Sequence, residues 1–379
     1  MKIVVAIDSF KGSLSSGESA NAVRAAAEEV LDSPEVVAVP LADGGEGTSR
    51  ALIEGLGGET VRVAVTGPLG DRVMAEYGIT DGTAVMEMSV AAGITLIPRE
   101  RLNPEITTTY GVGEMILDAI SRGCRRFIIG IGGSATNDGG AGMLEALGFK
   151  LLDRDGRQIR RGAIGLGDLH TIDGSCVSPL LAECEFRVAS DVTNPLLGEL
   201  GCSRVFAPQK GADEASVERM EKMMGHYADK TKEFYPLADE NAPGAGAAGG
   251  LGFALRVFLG AELLRGVELI LDTVGINDHL ASADLVITGE GRLDAQTAMG
   301  KAPVGVAARA KARGIPVIAF SGCVGSGAEA VNACGIDAFF PILRRICTEQ
   351  EAMDKTAAYE NLKATARQVF MLMRAMGAK

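Results

Sequence analysis

The sequence predicts a two-domain α/β protein in which both chain ends build one parallel-sheet domain and the middle of the chain forms a second, mixed one. Three observations carry this. The chain has 379 residues, enough for two domains at roughly 150 residues each. Short β-branched runs alternate with helix-prone segments at the start and again in the last third, the pattern of parallel sheets with crossover helices. Between these stretches the texture changes to short strands joined by tight turns.

Taken in order, residues 2–8 (KIVVAID) read as a strand buried on both faces. Ser15-x-x-Glu18 has the spacing of a capping box and predicts a helix over 18–32. A strand at 36–39, a glycine loop at 43–47 and a helix near 47–56 repeat the unit. From Glu59 to Ser89 three strand-like segments are separated by Pro68-Leu69-Gly70-Asp71 and Asp81-Gly82, which predicts an antiparallel meander. A helix at 113–122, a strand at 126–131 and a polar helix at 213–232 follow. Strands at 284–288, 316–320 and 337–340, with helices near 300–313 and 326–333, restore the alternation. The expected domains are therefore 1–60 with 265–379, and 61–264 as the insertion.

Composition narrows the function. Apolar residues at 47% and charged residues at 23% exclude wholesale disorder. Glycine, at 50 residues, is about twice as frequent as usual but follows no strict period, which places it in turns and backbone-lined sites. A net charge of −12, 4% aromatics and no basic run argue against nucleic acid as a partner. Phosphorylated metabolites stay open, because amide groups and single lysines can hold them locally. Seven scattered cysteines without a C-x-x-C, and three isolated histidines, indicate neither a disulfide framework nor a zinc site. The N-terminal apolar run is too short for a signal segment, and no apolar stretch reaches about 18 residues, so a soluble, cytoplasmic protein without a membrane partner is expected.

Four glycine-rich segments follow predicted strands and could carry chemistry. Asp8-Ser9-Phe10-Lys11-Gly12-Ser13 precedes a capped helix and suits an anion. Asp43-Gly44-Gly45-Glu46 offers two carboxylates to a hard cation such as Mg²⁺. The segment from Gly130 to Gly140 can cradle a phosphate. It also contains G-x-G-x-x-A with Asp153 beyond it, a weak likeness to the dinucleotide fingerprint. Gly289-Glu290-Gly291-Arg292-Leu293-Asp294, expected as a loop, pairs carboxylates with Lys301 at a helix start. Each of these is also ordinary turn chemistry, and residues 190–195, 208–211 and 244–252, taken alone, read as structural turns. Together the loops supply carboxylates, hydroxyls, isolated lysines and amide donors, the inventory phosphoryl transfer needs.

The strings IDSFKGSLSS (7–16), ADGGEGT (42–48), IGIGGSATNDGGAG (129–142), PQKGA (208–212), GAAGGLG (246–252) and ITGEGRLDAQTAMGKAP (287–303) together resemble the family I glycerate kinases along essentially the whole chain. The resemblance implies a Rossmann-like α/β domain beside a mixed α/β domain. It also implies ATP- and Mg²⁺-dependent phosphorylation of D-glycerate, with 2-phosphoglycerate as the expected product, in sugar-acid or glyoxylate-derived carbon use.

On this reading the site is expected in a cleft between the domains, with Lys11 and Lys301 neutralising the transferred phosphoryl group. Asp43, Glu46, Glu290 and Asp294 are the expected Mg²⁺ ligands, and Asp191 the base, with Asp8 in reserve. Asp8, Ser13 and the loop Gly132, Gly133, Ser134, Ala135, Thr136, Asn137 and Asp138 are expected to hold substrate or phosphate. Two alternatives stand beside it: an NAD-dependent dehydrogenase of a small hydroxy acid using Gly130–Ala135 with Asp153, and a non-catalytic protein that binds small acids.

Overall fold

The computed structural model describes residues 1–41, 49, 52–53 and 56–377. Among them are thirteen strands. In chain order these are β1 (Lys2–Ile7), β2 (Glu35–Ala38), β3 (Glu59–Thr66), β4 (Arg72–Thr80), β5 (Thr83–Glu87), β6 (Arg126–Gly130) and β7 (Lys150–Leu152). Then come β8 (Thr171–Asp173), β9 (Glu185–Ala189), β10 (Glu262–Leu264), β11 (Leu285–Leu293), β12 (Val317–Val324) and β13 (Ala338–Pro341). The helices that matter below are α1 (Ser16–Val30), α2 (Tyr110–Ser121), α3 (Glu214–Phe234), α4 (Ala247–Leu259), α5 (Ala302–Lys311) and α6 (Lys355–Ala375).

The chain divides into two compact units. The first comprises Met1–Asp43, Glu54–Gly57 and Val267–Lys379; the second comprises Gly44–Ile53 and Gly58–Gly266. The α/β class expected from the alternation is what the structure shows.

In the first unit all five strands run parallel, in the order β13-β12-β11-β1-β2. Counted within the unit this is 2-1-3-4-5, the flavodoxin-like form of the doubly wound sheet. Strand β1 is interior, between β11 and β2, and almost wholly buried, which is why KIVVAI carries no polar alternation. Ile3, Val5 and Ile7 meet Ala22, Val23 and Ala26 of α1 and Leu362 and Phe370 of α6 in one core. Each fully buried Val, Ile, Leu or Phe side chain among them contributes about 1.5–3 kcal/mol. The capping box forms as expected: Glu18 N–H donates to Ser15 Oγ at 3.2 Å, and Ser15 N–H donates to Glu18 Oε2 at 3.0 Å.

One expectation changes. The Gly289–Leu293 stretch is not loop but the continuation of β11, paired with β12 out to Leu293 and Val324. Glycine makes this possible. A Cβ on Gly289 would lie 2.0 Å from the Phe320 carbonyl oxygen, so any side chain there would push the two strands apart. The helix expected near 326–333 shrinks to Ala330–Ala333. The loop and helix expected over 43–56 lie largely outside the described residues.

The second unit holds a six-stranded sheet in the order β10-β9-β6-β5-β4-β3. Strands β3, β4 and β5 form the expected antiparallel meander, whereas β5, β6, β9 and β10 run parallel. The carboxyl ends of those four parallel strands therefore share one edge. Strands β7 and β8 make a separate hairpin. The core gathers Met115 and Ile116 of α2, Phe127 and Ile129 of β6, Met224 and Tyr227 of α3 and Phe253 of α4.

Candidate active site

In an open parallel sheet, ligands collect outside the strand carboxyl ends, at the point where the winding direction reverses. In the first unit that point lies between β1 and β11, whose next neighbours are β2 on one side and β12 on the other. A cleft of about 860 Å³ opens there, bounded by residues that follow β1, by the far half of β11, and by the ends of β12 and β13.

Six of the sequence-predicted site residues meet in this one cleft: Asp8, Lys11, Ser13, Glu290, Asp294 and Lys301. Asp8 caps the end of β1. Its N–H donates to the Gly289 carbonyl at 2.9 Å, and its Oδ1 accepts from Ser9 N–H at 2.7 Å. Ser13 closes the following turn, with its Oγ donating to the Phe10 carbonyl at 3.0 Å. Lys11 is exposed at the tip of that turn.

Opposite lies a small network. Thr297 Oγ1 donates to Glu290 Oε1 at 2.6 Å and accepts from Asp294 N–H at 3.1 Å. Lys301 Nζ stands 3.7 Å from Glu290 Oε2. Asp294 Oδ1 accepts from Gln296 N–H at 2.9 Å, and its Oδ2 lies 3.4 Å from Arg292 Nε. Lys301 is also the residue before α5, and Pro303 in the first turn suits that start. Lysine and the positive helix end thus sit at the same place, where an anion is stabilised. The far wall is apolar, with Phe10, Ile342 and Leu343, and carries Thr348 and Asn361. Sequence reasoning missed Thr297, Arg292 and this wall. Thr297 was visible inside a quoted block, but residues 342–361 carry no motif.

The remaining expectations fall on the second unit. The loop from Gly132 to Asp138 follows β6, as predicted, but its residues divide sharply. Gly132 and Gly133 are exposed. Ala135 N–H is committed to the Ala92 carbonyl at 2.9 Å, and so is not a free donor for an anion. Thr136, Asn137 and Asp138 are fully buried and face the protein interior.

Asp138 accepts four hydrogen bonds: from Thr109 N–H (2.8 Å), Thr109 Oγ1 (2.9 Å), Gly140 N–H (3.1 Å) and Gly142 N–H (3.2 Å). Burial raises its pKa above the ordinary carboxylate value, against the pull of those donors. The Asp138 carboxylate thus braces the loop against the segment before α2 and the turn after the loop. Asp191 is exposed after β9, its Oδ1 accepting from Gly266 N–H at 3.0 Å. Glu87, at the end of β5, was not anticipated; its Oε1 accepts from Ser49 N–H at 3.0 Å and Ser49 Oγ at 3.1 Å. Asp43 and Glu46 lie outside the described residues.

The dinucleotide likeness finds no support. In that fingerprint the acidic residue ends a strand neighbouring the glycine loop's own. Asp153 instead follows β7, which belongs to the separate hairpin, and its Oδ1 accepts from Asp155 N–H and Arg157 N–H, both at 2.9 Å. No helix among the described residues is long and apolar enough to cross a membrane.

Comparison with known proteins agrees with the geometry. The profile described as the Glycerate kinase family matches residues 3–374. The chain is 47% identical over 371 residues to the glycerate 2-kinase of Escherichia coli (strain K12), covering 97% of both. It is 46% identical over 355 residues to the glycerate kinase of Halalkalibacterium halodurans, covering 93% of both. A crystal structure described as glycerate kinase 2 from Salmonella typhimurium LT2 superposes with a TM-score of 0.91 at 45% identity, covering 99% of this chain and 98% of that one. The non-catalytic and dehydrogenase readings gain nothing from these comparisons. A match spanning nearly the whole chain, on a fold whose switch point carries lysines and carboxylates, makes this protein a member of the glycerate kinase family and a phosphotransferase.

Proposed function

We propose that the protein transfers the γ-phosphoryl group of ATP to D-glycerate, giving 2-phospho-D-glycerate and ADP, in cytoplasmic use of sugar-acid or glyoxylate-derived carbon. One observation carries the reading: Lys11, Lys301, Glu290, Asp294 and Asp8 converge on one cleft at the switch point of a parallel sheet. The 2-position is supported by the name of the Escherichia coli relative.

In this reading the glycerate hydroxyl oxygen bonds to the γ-phosphorus as the bond to the β,γ-bridging oxygen breaks and ADP leaves. The hydroxyl proton passes to a carboxylate. Asp191 and Asp8 are the proposed bases, and Asp8 is the one that lines the cleft. Lys11 and Lys301 neutralise charge on the equatorial oxygens, a role worth on the order of 10³–10⁵ in rate for comparable groups. The amides of Gly132 and Gly133 are proposed to hold the substrate carboxylate, with Ser134 beside them.

Glu290 and Asp294 are the proposed Mg²⁺ ligands, together with Asp43 and Glu46. Among the described residues no group of three or more His, Cys, Asp or Glu side chains could hold a metal. Mg²⁺ takes oxygen ligands and commonly binds through one or two carboxylates plus substrate phosphates, and Glu290 and Asp294 are two carboxylates on the cleft wall. Bound there, the ion would screen the phosphate charge.

An ADP-release assay over a panel of small hydroxy acids, with ³¹P spectra of the product, tests the proposal. D-glycerate as the preferred acceptor and a phosphomonoester on its second carbon are expected. Equal turnover with unrelated acids, or phosphate on the third carbon, would overturn it.

A further inference from the structure

Lys210, in the segment that read as a turn, is 1% exposed. Its Nζ donates to the Thr136 carbonyl at 2.6 Å. A buried ammonium is expensive unless it does something that an apolar side chain cannot. Here it grips the backbone of the Gly132–Asp138 loop from beneath.

Two further contacts converge on the same stretch. Asn137 Nδ2 donates to Ser203 Oγ at 3.0 Å. Gly139 N–H donates to the Gly249 carbonyl at 2.9 Å. For that approach Ala248, Gly249 and Gly250 all adopt left-handed φ values of +52°, +67° and +89° before α4 becomes regular. A Cβ on Gly249 would lie 2.1 Å from the Thr136 carbonyl oxygen, so only glycine lets the two chains meet. The loop's own side chains do less, since Thr136 Oγ1 and Asn137 Oδ1 have no hydrogen-bond partner among the described residues.

We infer that Lys210 is a positioning residue: with Ser203 and the 248–250 turn it fixes the backbone of the Gly132–Asn137 loop so that the exposed Gly132 and Gly133 amides present a set geometry to the substrate. The inference rests on the proposed role of those amides in holding the glycerate carboxylate. Displaced amides weaken the grip on one substrate without touching the other, whereas simple destabilisation lowers the active fraction for both.

The test compares Lys210→Met, Ser203→Ala and Gly133→Ala in the full-length protein, reading KM for D-glycerate, KM for ATP and kcat, with thermal unfolding as a control. Lys210→Met should raise the glycerate KM roughly tenfold or more, the equivalent of about one lost buried contact. Ser203→Ala should raise it less, and the ATP KM should stay within about twofold in both. Ser203→Ala keeps the inference testable should the lysine variant fold poorly. Folded Lys210→Met and Ser203→Ala proteins with unchanged glycerate KM, beside a Gly133→Ala protein in which it rises, would overturn the positioning role alone. An unchanged value in all three would overturn the loop's substrate role and the inference with it.

Discussion

The cleft of the first unit and the glycine loop of the second use the same residue types to opposite ends. In the cleft, Lys301 and Glu290 stand 3.7 Å apart on a wall that small molecules can reach, and Lys11 is exposed. Beneath the loop, Asp138 and Lys210 are buried, and their polar atoms are turned on the backbone. Accessible charges can meet a triphosphate; enclosed ones can only hold structure, and they are costly to disturb because nothing else can solvate their partners. Substitutions in the first region should therefore damage turnover at nearly constant stability. Those in the second should damage stability or geometry.

The largest expected effect is Lys301→Met, which should lower turnover on the order of 10³-fold while the unfolding midpoint in urea barely moves. Near-normal turnover would erase the contrast. Next is Thr297→Val, which keeps the shape but removes the hydroxyl donated to Glu290. If Glu290 is a Mg²⁺ ligand as proposed, loss of this outer hydrogen bond should raise the Mg²⁺ concentration needed for half-activity about 10–100-fold.

On the other side, Asp138→Asn sets an amide against four donors. It should cost about 1–3 kcal/mol of stability by urea unfolding. Lys210 gives a pH signature. Burial holds its pKa down at about 8 from 10.5, while the nearby Asp138 and Cys202 act to raise it. Between those values the unfolded chain binds more protons than the folded one, so this lysine makes stability rise with pH there; below about 8 both states are protonated and its contribution is flat. Urea unfolding of the wild type and Lys210→Met across this window should diverge by up to about 1.4 kcal/mol per pH unit. The smallest effect belongs to neither region: Ser15→Ala removes the α1 cap and should cost about 1 kcal/mol without altering kinetics.

Local features were legible in the sequence wherever short-range physics decides them. The β-branched run of β1, the Ser15–Glu18 box and the turns at Pro68–Asp71 and Asp81-Gly82 all depend on neighbours a few residues away, and each formed where expected. The glycine-rich segments after predicted strands brought Lys11, Glu290 and Lys301 into view. That they share one cleft was expected only through the resemblance; no local pattern shows it, because it follows from β1 pairing with β11 across more than 270 residues. Burial was equally hidden. Asp138 read as part of a substrate-holding loop and Lys210 as part of a structural turn, and a glycine-flanked charge reads the same whether the fold covers it or not. The extension of β11 was missed because two glycines in a short stretch, Gly289 and Gly291, imitate a loop.

Hydrogen–deuterium exchange of the full-length protein with and without Mg²⁺-ATP tests most directly which region receives the phosphates. The account predicts added protection in segments 8–13 and 289–301. Unchanged exchange in both, with protection confined to 132–140, would contradict it.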